Sequence, residues 1–372
     1  MKITKIDTIV VHIPFKKGFF VGKHKLGFRD NVIVKIFTDD GYIGNGHTDG
    51  YGAAKVLAFA INELLKPHLL GEDPLNIERL WNIMYQRNFQ VGRRGIIVRA
   101  ISAIDIALWD IKCKVAKLPL YKLLGVYREK VPVYTSGGYY REFGEKGLKE
   151  LEEEMLLWAK KGYKSVKMRV GLASIEEDVK RIQIAKKALG EKVNLMLDAE
   201  LVWEDAYTAI KSIRAFEENT DLFWIEGPGS LDRISMHKEI RRAVRTPIAT
   251  GGQMYTRWEF LQWMEAGAVD ILQPDVMICG GISEWLKIAH ISDTFDIKIA
   301  PHENWNLHAS LAAAVENSLI VEYFELERDI KVFDKIVKNP VKPDSEGFIS
   351  PPKAIGVGIE FDEDKIEEFK VI

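Results

Sequence analysis

NLMLDAE (194–200), LFWIEGP (222–228) and PIATGGQ (247–253) are three short apolar runs, each ending in a polar or glycine-rich cluster and separated from the next by a helix-length segment. Apolar runs of this length, spaced by helices, predict buried parallel strands whose C-terminal ends share one mouth. Two of those ends carry carboxylates, Asp198 and Glu226, while the third reads Gly251, Gly252, Gln253. A carboxylate cluster around one mouth is what a hard divalent cation requires.

Outward from this stretch the pattern repeats. From residue 131 on, strand and helix signals alternate about every thirty residues, as βα units do. The strands read VPVYTSGG, SVKMRVG, NLMLDAE, LFWIEGP, PIATGG, VDILQPDV, KIAPHE and IVEYFE. Eight strands with seven helices between them predict a closed α/β barrel. An open dinucleotide-binding sheet is disfavoured, because no glycine-rich fingerprint follows any strand.

Upstream, residues 1–15 and 31–46 alternate like an antiparallel sheet, and Ile101, Ile104, Leu108, Ile111 and Val115 share one helical face. Gly125 closes this region. The predicted organisation is an α+β domain over 1–125, completed by 345–372, and a barrel domain over 126–344. Between the first strands lies KKGFFVGKHKLGFRD (16–30), where Lys23 and His24 sit among aromatics and glycines. It reads either as a basic lid for an anionic small molecule or as an exposed hairpin whose lysines guard a sheet edge.

The balance of 52 basic against 54 acidic residues gives a net charge of −2, so no basic field attracts nucleic acid or an anionic membrane. Two cysteines and no apolar run of spanning length point to a cytoplasmic protein.

Barrel sites lie at the C-terminal mouth, so the polar residues that end strands are the candidates: Lys167, Arg169, Asp198, Glu200, Glu226, Asp275, His302, Glu322 and Glu325. One such carboxylate can be a helix cap; so many around one mouth exceed what capping needs.

AIDIALWDIKCK, PLYKLLG, SVKMRVG, LDAE, WIEGP, QPDVMICGGISE and APHENW, in that order, resemble the mandelate racemase/muconate lactonizing enzyme family of the enolase superfamily. The resemblance implies a modified TIM barrel, (β/α)7β, under an N-terminal α+β capping domain. It implies a homo-oligomer, and a reaction begun by removing the proton α to a substrate carboxylate, with Mg2+ stabilising the enediolate. His302 then matches the base, Asp275 its partner, and Glu322 the group that meets the substrate carboxylate. Lys167 and Arg169 match the Lys-x-Lys pair, although arginine is a poor proton acceptor. Gly252 falls where the third metal-binding carboxylate belongs.

Glu200 lies two residues beyond Asp198, so strand alternation would place it on the same face about 6.6 Å nearer the mouth. The expected metal set is therefore Asp198, Glu226 and Glu200, with pairing of Glu200 to Lys167 or Arg169 as the alternative. Lys23, His24, His47, Tyr51 and Gln253 are the substrate-binding candidates. The leading expectation is an aldonate-type sugar-acid dehydratase, a hydro-lyase, taking a small-molecule carboxylate. A racemase, epimerase or cycloisomerase with Lys167 as base, and a non-catalytic carboxylate-binding barrel, are the alternatives.

Overall fold

A computed structural model describes residues 1–21 and 23–371. Strands β1 (Ile3–Val21), β2 (His24–Thr38) and β3 (Ile43–Asp49) form an antiparallel sheet in that order. It is followed by α1 (Ala54–Ala60), α2 (Ile77–Asn88), α3 (Ile96–Ala116) and the short α4 (Leu120–Leu124). The stripe Ile101, Ile104, Leu108 and Ile111 on α3 is fully buried. Burial extends round the helix to Asp105 and Asp110, because α3 packs against β3 on one side and the barrel on the other. β3 reaches α3 because residues 44 and 46 are glycines: Cβ atoms there would lie 2.2 Å from the Ala107 and 2.0 Å from the Ala103 carbonyl oxygen. Asp105 ties the two halves together, accepting from the backbone N–H of Ser283 at 2.9 Å and from its hydroxyl at 2.6 Å.

The barrel strands are β4 (Val131–Gly137), β5 (Ser165–Arg169), β6 (Asn194–Asp198), β7 (Trp224–Glu226), β8 (Ile248–Thr250), β9 (Ile271–Leu272), β10 (Lys298–Ile299) and β11 (Val321–Tyr323). The connecting helices are α5 (Gly144–Lys161), α6 (Ile175–Leu189), α7 (Ala206–Glu217), α8 (Ile234–Ala243), α9 (Thr256–Ala266), α10 (Gly281–Thr294) and α11 (Trp305–Ala314). All neighbours are parallel, in the order β10-β9-β8-β7-β6-β5-β4-β11. The ring closes beside β10, where Leu319 N–H donates to the Ile299 carbonyl at 2.7 Å and Ile299 N–H to that of Asn317 at 2.9 Å. Eight strands and seven helices make this the (β/α)7β barrel that the alternation predicts.

Regular strand ends sooner than the apolar runs do. The backbone turns left-handed at Glu200 (φ 47°), Gly251 (φ 134°) and Glu303 (φ 54°), three points on the rim. At the far end of the chain, β12 (Phe348–Ile349) pairs with β4, and the helix α12 (Glu363–Phe369) leads to Lys370, which bridges to Val11. The last segment therefore touches both halves.

The basic stretch is a long hairpin arm that lies across the barrel mouth. Phe19 packs on Tyr139 at 4.7 Å, and Arg141 donates to the Lys17 carbonyl at 3.0 Å. Among the described residues no helix is long and apolar enough to cross a membrane.

Candidate active site

The barrel interior is layered by strand alternation. Tyr134, Met196, Trp224, Ala249, Ile271, Ala300 and Ile320 form one apolar cluster inside it. Residues two further along the same strands point the same way, one layer nearer the mouth. Those positions are Ser136, Asp198, Glu226, Gly251, Gln273, His302 and Glu322. With Lys167 and Arg169 from β5, they make a polar floor on an apolar plug.

Lys167 sits at the centre of this floor, fully buried. Its Nζ lies 2.6 Å from Glu226, 2.8 Å from Glu322 and 3.4 Å from Asp198. Burial alone would strip its proton, but Glu226 and Glu322 outweigh burial and hold the pKa well above the usual lysine value. Arg169 makes the second cationic contact, 3.3 Å to Asp198 and 2.8 Å to Glu200. Its remaining donors go to Ser136, at 2.8 Å, and to the Tyr139 hydroxyl.

Glu200 thus takes the alternative expected of it, pairing with Arg169. β6 stops at Asp198, and the left-handed turn at Glu200 breaks the strand alternation that would have stacked the two carboxylates. Asp198 accepts the backbone N–H of Glu200 at 2.8 Å.

Four carboxylates, Asp198, Glu200, Glu226 and Glu322, thus face two cations, Lys167 and Arg169. The imbalance shows in Glu226, whose pKa is pushed up to about 7 by burial first and by Asp198 next. A floor of hard oxygen donors with negative charge in excess fits a divalent cation such as magnesium, with water completing a shell that Gly252 does not supply. Among the described residues, the one group of three potential ligands with atoms within 4.8 Å of one another is Asp275, His302 and Glu303. Its Glu303 is already paired with Lys331.

Across from the cluster stands His302. Its Nδ1 lies 3.0 Å from fully buried Asp275, and its Nε2 lies 3.5 Å from Glu303. Burial would lower its pKa, yet Glu303, the Asp275 hydrogen bond and Glu322 outweigh burial and raise it to about 9. The ring explains the missing carboxylate at 252. A Cβ on Gly252 would lie 2.8 Å from two ring carbons of His302, so the imidazole occupies the space a side chain would need.

These groups line a cavity of about 140 Å3 bounded by barrel rim and capping sheet. Arg169, Asp198, Glu200, Glu226, His302, Tyr51 and Gln253 all line it. Asp275, Lys167 and Glu322 touch lining residues from behind. Gln253 accepts from Arg99 at 2.7 Å, and the Tyr51 hydroxyl donates to Glu303 at 3.3 Å.

Three of the five substrate-binding candidates lie outside the lining. Lys23 and His24 are exposed at the tip of the hairpin arm, with Lys23 on Glu204 at 2.7 Å. His47 is buried behind the wall, stacked on Phe333 at 4.3 Å, and burial drives its pKa down to about 4. Arg29, from the basic 16–30 stretch, packs on Tyr51, and residues not singled out from the sequence complete the site: Gln273, which donates to Glu226 at 2.6 Å, and Glu303, Lys331 and Arg99 around Tyr51. Of these, only Gln273 carried a sequence signal, two residues beyond Ile271 in the barrel alternation.

Fold and site together define a capped-barrel enzyme whose rim sets an imidazole–carboxylate pair against a lysine-centred carboxylate cluster. The chain belongs to the mandelate racemase/muconate lactonizing enzyme family. Residues 5–125 match that family's N-terminal domain, and residues 150–365 match the enolase C-terminal domain-like family. It is 37% identical over 348 residues to the arabinonate dehydratase of Saccharolobus solfataricus, covering 91% of this chain and 90% of that protein. A racemase from Streptomyces coelicolor, solved with bound magnesium, superposes with a TM-score of 0.91 at 29% identity, covering 99% of this chain and all of that one. The L-talarate/galactarate dehydratase of Salmonella typhimurium, liganded with magnesium and L-lyxarohydroxamate, gives a TM-score of 0.91 at 30% identity, over 100% of this chain and 93% of that one.

Proposed function

We propose that this protein is a sugar-acid dehydratase, a hydro-lyase that takes the proton α to a carboxylate and expels the hydroxyl on the next carbon. The C–H electron pair enters the enediolate and then displaces hydroxide, which leaves as water once protonated. The enol tautomerises to a 2-keto-3-deoxy acid. His302 is the proton acceptor, with Asp275 holding its Nδ1 proton so that Nε2 faces the cavity.

The observation that carries this reading is the asymmetry of the site. His302 can exchange a proton, whereas Arg169 is permanently charged and Lys167 is held charged by Glu226 and Glu322. One competent base suits elimination, while interconverting stereoisomers through a planar intermediate takes a second. Arg169 on the cavity wall and Lys167 behind it instead supply positive charge to developing oxyanions, and Glu322, which pairs with Lys167 from behind the wall, is assigned to the substrate carboxylate on the family resemblance alone. Asp198 and Glu226, with Glu200 beside them, would hold magnesium, which stabilises enediolate charge when bound. Tyr51 and Gln253 contact substrate, and Lys23, His24 and His47 support the closed arm and wall.

The same proposal divides the chain into a capping domain over 1–125, completed by 345–372, and a barrel over 126–344. It takes the enzyme as cytoplasmic, in keeping with two buried free cysteines, and as a homo-oligomer, in keeping with exposed Val56 and Phe59 on α1.

A library of sugar acids assayed for 2-keto acid formation with magnesium present tests the activity. At least one acid should be turned over, and His302→Asn should lose ~100-fold or more of that rate. A protein that binds sugar acids but converts none is a binding barrel, and the proposal fails.

A further inference from the structure

Arg29 is the unexplained charge in this cavity. It rises from β2 of the capping sheet, is 5% exposed and lines the same cavity as His302. Its Nε and Nη1 are buried with no hydrogen-bond partner. The Tyr51 ring, 4.8 Å from the guanidinium carbon, offers a π face but no acceptor along the N–H directions. A buried guanidinium with orphaned donors costs free energy that a native protein recovers only by meeting an acceptor.

The surrounding charges show what kind of acceptor. Arg29, Arg99 and Lys331 surround Tyr51. Asp49 and Glu303 oppose them, and both are already engaged by Lys331. Three cations against two carboxylates leave one positive charge in excess. Asp30, the next residue on β2, faces away from it, accepting the backbone N–H groups of Gly52 and Ala54, and is not among the groups whose charge acts on Arg29. At the barrel floor the imbalance has the opposite sign and suits a metal.

We propose that Arg29 binds a second carboxylate, at the end of the substrate remote from the reacting carbon, and that the substrate is a sugar diacid rather than a monoacid. A carboxylate matches the fork of a guanidinium and carries the one negative charge this end lacks, whereas a terminal hydroxyl supplies an acceptor but no charge. The inference rests on the cavity's being a sugar-acid site, and it is read by binding so that it stands or falls apart from turnover.

Calorimetry with magnesium present, on tartrate, glucarate and galactarate, each paired with threonate, gluconate or galactonate, gives the test. At least one diacid should bind wild type about 10- to 100-fold more tightly than its monoacid partner. Arg29→Met should abolish that preference and leave the affinity for the monoacid within about threefold, while Arg29→Lys retains part of the preference as a point charge. The melting temperature of Arg29→Met should not fall, since the substitution removes buried donors that have no acceptor. Monoacids bound as tightly as diacids, no binding of any pair at 10 mM, or an Arg29→Met variant that weakens both acids equally and melts lower would each overturn the proposal.

Discussion

Replacing Asp275 with Asn perturbs one of the three carboxylates that set His302 apart from an ordinary histidine. In the wild-type site, burial would lower the imidazole pKa, but Glu303, the 3.0 Å contact to Asp275 and Glu322 overcome it and bring the value to about 9. Asparagine keeps an oxygen for the Nδ1 proton and removes the charge. An opposing charge at hydrogen-bond distance is worth about 1–3 pKa units, so the variant should titrate at least one unit lower. At pH 7 the proton-accepting form would then rise from about 1% of molecules to 10% or more. The assay is a pH titration of the imidazole resonances in magnesium-free protein. Eight histidines are present, and the signal of His302 is the one lost in His302→Asn. Magnesium added to the same sample should lower the pKa as well, because positive charge among Asp198, Glu226 and Glu322 weakens the field that holds the proton. A wild-type His302 titrating near 6.5, or one indifferent to Asp275→Asn, would refute the account of how this base is tuned.

Two further outcomes follow from the floor of the barrel. Gly252→Ala places a Cβ where the His302 ring lies, so it should cost about 1–3 kcal/mol in thermal or urea unfolding and reduce turnover through displacement of the base; an unchanged protein would show that the ring does not need that space. In calorimetric magnesium titrations, Asp198→Asn and Glu226→Gln should each weaken binding at least ~10-fold, as should Glu200→Gln if its carboxylate joins the metal shell. An unaltered magnesium affinity in Glu200→Gln would remove Glu200 from the metal shell.

The barrel was legible because parallel strands buried on both faces are written as short apolar runs, and because their polar ends all fall on one rim. Asp198, Glu226, His302 and Glu322 share a single rule, each lying two residues beyond an apolar residue that plugs the barrel. Gln273 obeys that rule after Ile271 and went unread because its amide carries no charge to draw notice.

Where the backbone turns left-handed the rule stops. Glu200, placed by alternation beside Asp198, swings to Arg169 because its φ is positive. The wall around Tyr51 was legible only in Tyr51 itself and in Arg29, one of the basic residues of the 16–30 stretch: Arg99, Glu303 and Lys331 come from a capping helix, a rim turn and a late loop, and only the closed structure brings them together. His47 shows the converse, since a polar residue in a suggestive loop can be committed to an aromatic stack behind the site. The reason for glycine at 252 likewise lies fifty residues away, in a ring that no local pattern reveals.

Proton NMR of a turned-over sugar acid in D2O tests the central claim most directly. With His302 the base on one face and Arg169 unable to act on the other, the keto acid should form with one deuterium at C3, and recovered substrate should exchange its α proton without changing configuration. Epimerised substrate accumulating as fast as keto acid would mean that a second base works opposite His302, and would contradict the single-base dehydratase.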